Sequence, residues 1–231
     1  MIHALLTVDD VASHNTPAMV DYLRDKGIRA IFFATGENVE RFYEEACYAL
    51  KNGMILGNHS YSHPHFSQLS MEACANEIEK CEQVLDQLYH DCGIQREYRP
   101  FRFPYGDKGG ENREALQAYF REKGFDKVDD TQIPYSWWAE SGLNRDIDTL
   151  WTFDFEEYHI RPGTGFTRES VWKKMYDENP AQGAALFAED GRHILLLHAH
   201  DETETMLPQY YQQFIDELLA HGVVFDDPAF L

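Results

Sequence analysis

Two acidic side chains in succession, Asp9 and Asp10, close an apolar run near the start of the chain, and two imidazoles four positions apart stand in His59-Ser60-Tyr61-Ser62-His63. On a helical turn that spacing puts both histidines on one face, within reach of a single cation, and one carboxylate completes a three-ligand set. Such a set leaves coordination positions open, which marks a catalytic site rather than a closed structural one. A divalent cation is therefore expected, zinc first, with cobalt, nickel or ferrous iron as alternatives; ferrous oxygenases use the same donors. Alone, an H-x-x-x-H pair is weak, because surface histidines recur by chance. Its context strengthens it, since two adjacent carboxylates at the end of a buried strand are costly unless a cation or a proton compensates them. A solvated strand end or a helix cap is the alternative reading of either carboxylate.

These residues need a scaffold, and the hydrophobic pattern supplies one. Residues 2–8 read as a strand and 16–26 as a helix stopped by Gly27. Strand 30–34, helix 37–51 ending at Asn52-Gly53, and strand 54–57 repeat the cycle. Ser70 caps a long amphipathic helix running to about residue 89. Further strands are expected at 98–103, 125–128, 150–155, 193–198 and 223–225, with helices at 113–123, 168–179 and 208–221. Strands alternating with helices imply a parallel sheet, and this many cycles in one domain, residues 1–231, favour a distorted (β/α) barrel of about seven parallel strands. In such barrels active groups gather where strands end. Asp9 and Asp10, His59 and His63, Arg102 and Tyr105, Asp154, and His198 all fall at those edges. Residues 129–148, with Pro134, Trp137 and Trp138, form an inserted loop.

Composition excludes several partners. Forty acidic against twenty basic residues give a net charge of −20, which repels phosphate backbones and anionic membrane surfaces, so no nucleic-acid partner is expected. No run approaches the roughly eighteen apolar residues of a membrane span, so no membrane insertion is expected. The first residues show no basic region or apolar core of a secretory leader. The expectation is a cytosolic protein, or a periplasmic or cell-surface one if a leader has been removed. No glycine fingerprint for nucleotides follows the first strand. The four cysteines show no C-x-x-C spacing and read most simply as buried thiols; Cys74 and Cys81, about 10 Å apart along one helix, cannot bridge each other, so any disulfide needs other pairings.

In order along nearly the whole chain, the motifs resemble those of the NodB-homology polysaccharide deacetylases, carbohydrate esterase family four. Thr7-Val8-Asp9-Asp10 is similar to the family's T-F-D-D, His59 to His63 to H-[ST]-x-x-H, and Arg102-Phe103-Pro104-Tyr105 to R-x-P-Y. Asp154-Phe155-Glu156-Glu157-Tyr158 is similar to D-x-x-D-W, and Leu196-Leu197-His198 to L-x-H. The resemblance implies a barrel of the NodB type, Asp10, His59 and His63 as metal ligands, Asp9 as general base and His198 as general acid. It further implies that Arg102 pairs with Asp9 and Asp154 with His198, that the Tyr105 backbone N–H helps hold an oxyanion, and that Leu196 lines the pocket for an acetyl methyl. The implied substrate is an acetylated glycan or oligosaccharide such as peptidoglycan or a chitin-like polymer.

The sequence departs from the family at Val8, at Val11-Ala12 where Gly-Pro is usual, and at Glu157-Tyr158. These positions bear on the groove wall and on the partner of His198, for which Glu156 and Glu157 are substitutes. Trp137 and Trp138 suit stacking on sugar rings, while the alternative is that they pin their loop to the barrel. His65 and His200 read as solvated. Alternatives to N-deacetylation are a related hydrolase of small amides or O-acetyl esters, and a carbohydrate-binding descendant without turnover.

Overall fold

The computed structural model describes all residues from Met1 to Leu231. In chain order the elements are β1 (His3–Val11), α1 (Thr16–Asp25), β2 (Ile31–Ala34), α2 (Gly36–Arg41), α3 (Tyr43–Lys51), β3 (Ile55–Asn58) and α4 (Met71–Asp91). Then follow α5 (Arg113–Lys123), α6 (Ser136–Glu140), β4 (Phe153–Asp154), α7 (Arg168–Met175), β5 (Arg192–His198), α8 (Asp201–Met206), α9 (Tyr210–Ala220) and β6 (Val224–Phe225). The sheet order is β3-β2-β1-β5-β4, every pairing is parallel, and β6 adds to the first residues of β1.

The distorted barrel is completed by scattered hydrogen bonds instead of ladders. Beside β3, Asn58 N–H donates to Pro100 O and Arg102 N–H to Asn58 O, and Thr149 N–H donates to Phe101 O on the far side. Gly57 permits this approach: a Cβ there would stand 2.8 Å from Pro100 O. Residues 98–103 and 125–128 thus form single bridges, at Phe101 and Val128, in place of the expected strands. Their apolar character has another cause. Phe101, Phe103 and Phe125 pack with Phe66, Leu116 and Phe120 into an aromatic cluster of their own.

Alternation along β1 sorts its side chains. Leu5 packs with Ile31, Phe33 and Ile55 on one face, whereas Ala4, Leu6 and Val8 belong to the larger core shared with α1, α3, α4 and α9. The long helix α4 starts as expected, with the Ser70 hydroxyl accepting the Ala73 N–H. The expected helix over 37–51 is two, because Phe42 leaves helical geometry between α2 and α3. Among the cysteines, Cys47 and Cys92 form a disulfide between α3 and the end of α4, a pairing that the sequence left open, while Cys74 and Cys81 are free and buried.

Candidate metal and catalytic centre

β1 carries the first two groups, and a local irregularity decides where they point. Successive side chains of a regular strand face opposite ways, so Asp9, in phase with Leu5 and Thr7, would face the barrel interior and Asp10 the helices. Between Val8 and Val11 the register with β2 shifts, and Asp10 takes φ +60°. This bulge brings both carboxylates to one site; aspartate is among the few non-glycine residues that adopt such a φ at low cost.

The histidines come from the connection after β3. The segment is not a helical turn, as the spacing suggested, but a loop in which Ser60 and His63 have φ of +65° and +60°. It is held from two sides. Glu77 of α4 accepts the N–H groups of Tyr61 and Ser62, and Ser60 O and Tyr61 O accept the first N–H groups of α2. His59 is buried, and its Nδ1 lies 2.8 Å from Arg102 O. Nδ1 must therefore carry the proton, which leaves the Nε2 lone pair free for a ligand. His59 Nε2 and His63 Nε2 stand 3.8 and 3.3 Å from Asp10 Oδ1. The three donor atoms lie within 4.8 Å of one another, a spacing that fits one cation.

Charge suits the same purpose. Burial alone would raise the Asp10 carboxyl, but a hydrogen bond from His200 and the imidazoles of His59, His63 and His198 hold it well below the usual carboxylate range. Burial, with His59 beside it, pulls His63 down to about 4 against the opposing pull of Asp10 and Asp9, so its lone pair is free near neutrality.

Arg102 is fully buried and fixes Asp9: one guanidinium nitrogen donates to Asp9 Oδ1 at 2.8 Å and to Thr7 Oγ1 at 2.7 Å, and Nε donates to Thr149 O. On the opposite side, His198 ends β5. Its expected partner was Asp154, yet the hydrogen bonds go to the buried Glu157, whose Oε1 is 2.6 Å from the His198 nitrogen and 3.3 Å from Nδ1. The reason is local. Glu156 takes φ +55° and starts a tight turn that swings Glu157 back beneath β5, while Asp154 Oδ1 is occupied by the Glu156 N–H. Asp154 still lies within 4.8 Å of both groups. Burial pushes it up to about 6, Glu157 adding to the rise and His198 opposing it. Burial would depress His198, but Glu157 above all, then Asp154 and Asp10, lift it to about 10.

Asp9, Asp10, His59, His63, Asp154, His198 and His200 open into one cavity of about 370 Å³, walled further by Tyr105, Leu196, Trp151 and Tyr158, with Arg102 and Glu157 buried behind it. Leu196 is buried at its floor. Tyr105, at φ +58°, is exposed at the rim and stacks on His65 at 3.9 Å, so His65 is not simply solvated. Trp137 and Trp138 do not reach this cavity. Trp138 packs with Leu143 and Ile194 and donates its indole N–H to Asp130; Ile194 lies four residues before His198, about 13 Å back along β5 at the strand rise. The residues that sequence reasoning passed over are Trp151, Tyr158 as a wall against His198 at 4.7 Å, and His200, whose Nε2 lies 2.7 Å from Asp10 Oδ2. For Tyr158 the signal was its place in the fourth motif. His200 offered only its proximity to His198.

Comparison with known proteins bears on the family and the fold. Over 103 residues, 44% of this chain, the sequence is 34% identical to the peptidoglycan-N-acetylglucosamine deacetylase of Bacillus cereus, and over 175 residues, 75% of this chain, 28% identical to chitin deacetylase 1 of Cryptococcus neoformans. The matched stretches take in 36% and 33% of those proteins, so the chain spans about a third of the length of these curated relatives. The solved structure of the Bc1960 peptidoglycan N-acetylglucosamine deacetylase, with a bound N-hydroxybenzamide, shares the fold over 97% of this chain and 85% of that one, with a TM-score of 0.66 at 21% identity. The sequence profile of polysaccharide deacetylases matches residues 2–124. Since that profile covers more than half of the residues, the chain belongs to the polysaccharide deacetylase family.

Proposed function

We propose that the protein removes the N-acetyl group of an acetylated amino sugar in a glycan of the peptidoglycan or chitin type. The observation that carries the proposal is the arrangement of one cavity: a three-donor cluster, Asp10, His59 and His63, lies between a carboxylate held by Arg102 and an imidazole held by Glu157. Asp10, His59 and His63 would hold a divalent cation, zinc suiting the donors best. When bound, such an ion polarises the amide carbonyl and lowers the pKa of water to about 7.

Asp9 is the proton acceptor. Its second oxygen is 3.4 Å from His59 Nε2, so it faces the ligand cluster while Arg102 anchors the first. That hold fixes the direction from which a proton is taken from water attacking the amide carbon. The Tyr105 N–H assists the tetrahedral oxyanion. His198 then donates a proton to the departing amine; its lifted pKa keeps it cationic near neutrality. This last feature favours an amide over an O-acetyl ester, because an amine leaves poorly without a proton whereas an alkoxide needs less help. Leu196 offers an apolar floor for the acetyl methyl, and Trp151 and Tyr158 offer flat faces for the sugar ring.

The test is acetate release from N-acetylglucosamine oligomers by the zinc-loaded protein, beside a chelator-treated sample, Asp9→Asn and His198→Ala. Release that disappears in all three controls supports the reading. Zinc bound at the cluster without release would instead favour a small amide or ester, or a protein that binds sugar without turnover.

A further inference from the structure

Asp10 divides its two oxygens between different neighbours. Oδ1 faces His63 and His59, at 3.3 and 3.8 Å. Oδ2 faces His200 Nε2 at 2.7 Å. The far ring nitrogen of His200, Nδ1, is 3.2 Å from an Arg161 guanidinium nitrogen. A guanidinium only donates, so Nδ1 must accept, and the imidazole proton is confined to Nε2, where it points at Asp10. Arg161 is itself fixed: it donates to Thr203 Oγ1 at 2.7 Å and to Ile160 O at 3.0 Å, and pairs with Glu202 at 2.8 Å.

On the metal-site reading above, we infer that Arg161 and His200 form a positioning relay that holds the Asp10 carboxylate with Oδ1 toward the cation and fixes the tautomer of His200. His200 is thus not a fourth ligand but the donor that orients one. The geometry explains how Asp10 is kept in place at a bulge where the β1 backbone has left its regular register. Without the Nε2–H bond, Asp10 could rotate about its side-chain torsions, and the cluster would have to be organised anew by each incoming ion. Hydrogen-bond partners behind metal ligands typically contribute about 10- to 100-fold in affinity.

The experiment is a zinc competition titration against a chromophoric chelator, on the full chain, for the parent protein, His200→Ala, His200→Gln, Arg161→Leu and His63→Ala, with circular dichroism to confirm folding. His200→Ala should weaken zinc binding about tenfold or more. His200→Gln, whose amide N–H can still donate to Asp10, should recover most of that loss, and Arg161→Leu should fall between. A folded His200→Ala that holds zinc as tightly as the parent overturns the relay, as does an equal loss in His200→Ala and His200→Gln, which would indicate packing and not a hydrogen bond. If parent and His63→Ala bind zinc alike, the metal-site reading itself fails, and the relay with it.

Discussion

Glu157 Oε1 meets His198 twice, 2.6 Å from its backbone nitrogen and 3.3 Å from its ring nitrogen Nδ1. The same carboxylate therefore fixes where β5 ends and which charge its last side chain carries. Because the Tyr210 hydroxyl also donates to His198 O, the residue is gripped through main chain and ring together.

Replacing Glu157 with Gln keeps the shape and removes the charge. His198 should then release its proton well below about 10, where Glu157 now holds it. Acetate release as a function of pH should show its alkaline limb moved down by more than one unit, with little change on the acid side. An unmoved alkaline limb would show that another group supplies the proton.

Stability should follow the same group. In the metal-free protein folded His198 keeps its proton to about 10, against 6.5 as its ordinary value. The folded state binds the extra proton in that window, so this contribution is complete below about 6.5 and is lost as the pH rises towards 10. Thermal melting should decline between pH 7 and 9.5 more steeply in the parent than in Glu157→Gln. Parallel declines would remove His198 as the cause.

The bond between Cys47 and Cys92 closes a 45-residue loop. Reduction, or a paired Cys47→Ser and Cys92→Ser change, should cost about 2–4 kcal/mol in denaturant unfolding while leaving zinc binding intact. The span of chain tied off contains His59 and His63, so loss of zinc binding on reduction would show that the bridge also shapes the site.

Two tryptophans should separate stability from turnover. Trp138→Ala empties a buried position far from the cavity and should cost about 3–5 kcal/mol in unfolding with kcat kept. Trp151→Ala removes part of the cavity wall. It should lower kcat/KM about tenfold, or about 1.4 kcal/mol, in the acetate assay. The reverse pattern would return residues 129–148 to the substrate face.

What was legible in the sequence was whatever short-range pattern determines. The Asp9-Asp10 pair, the histidine spacing, the Ser70 cap of α4 and the alternation of strand and helix are local properties. His200 was not legible as a partner of Asp10, because 190 residues separate them and only the pairing of β1 with β5 brings them together. Glu157 and Asp154 are three residues apart, and the choice between them rests on the backbone turn at Glu156. The apolar runs around Phe101 and Phe125 resembled strands because periodicity records burial, not ladder pairing. Trp137 and Trp138 were ambiguous for the opposite reason: their chemistry suits sugar, and only the path of the loop shows Trp138 buried and Trp137 half-buried away from the cavity.

The scattered bonds beside β3 set the two halves of the site on backbone of unequal hydrogen bonding. Asp9 and His198 ride on the long β1–β5 ladder, while Arg102 and Tyr105 arrive on the sparsely bonded seam between β3 and β4. The amide hydrogens of Phe101, Phe103 and Tyr105 should exchange with solvent well before those of β1. Arg102, clamped to Thr7, Asp9 and Thr149, is the rivet that fastens the sparsely bonded seam to the laddered wall, so the two halves meet at the residue that holds Asp9.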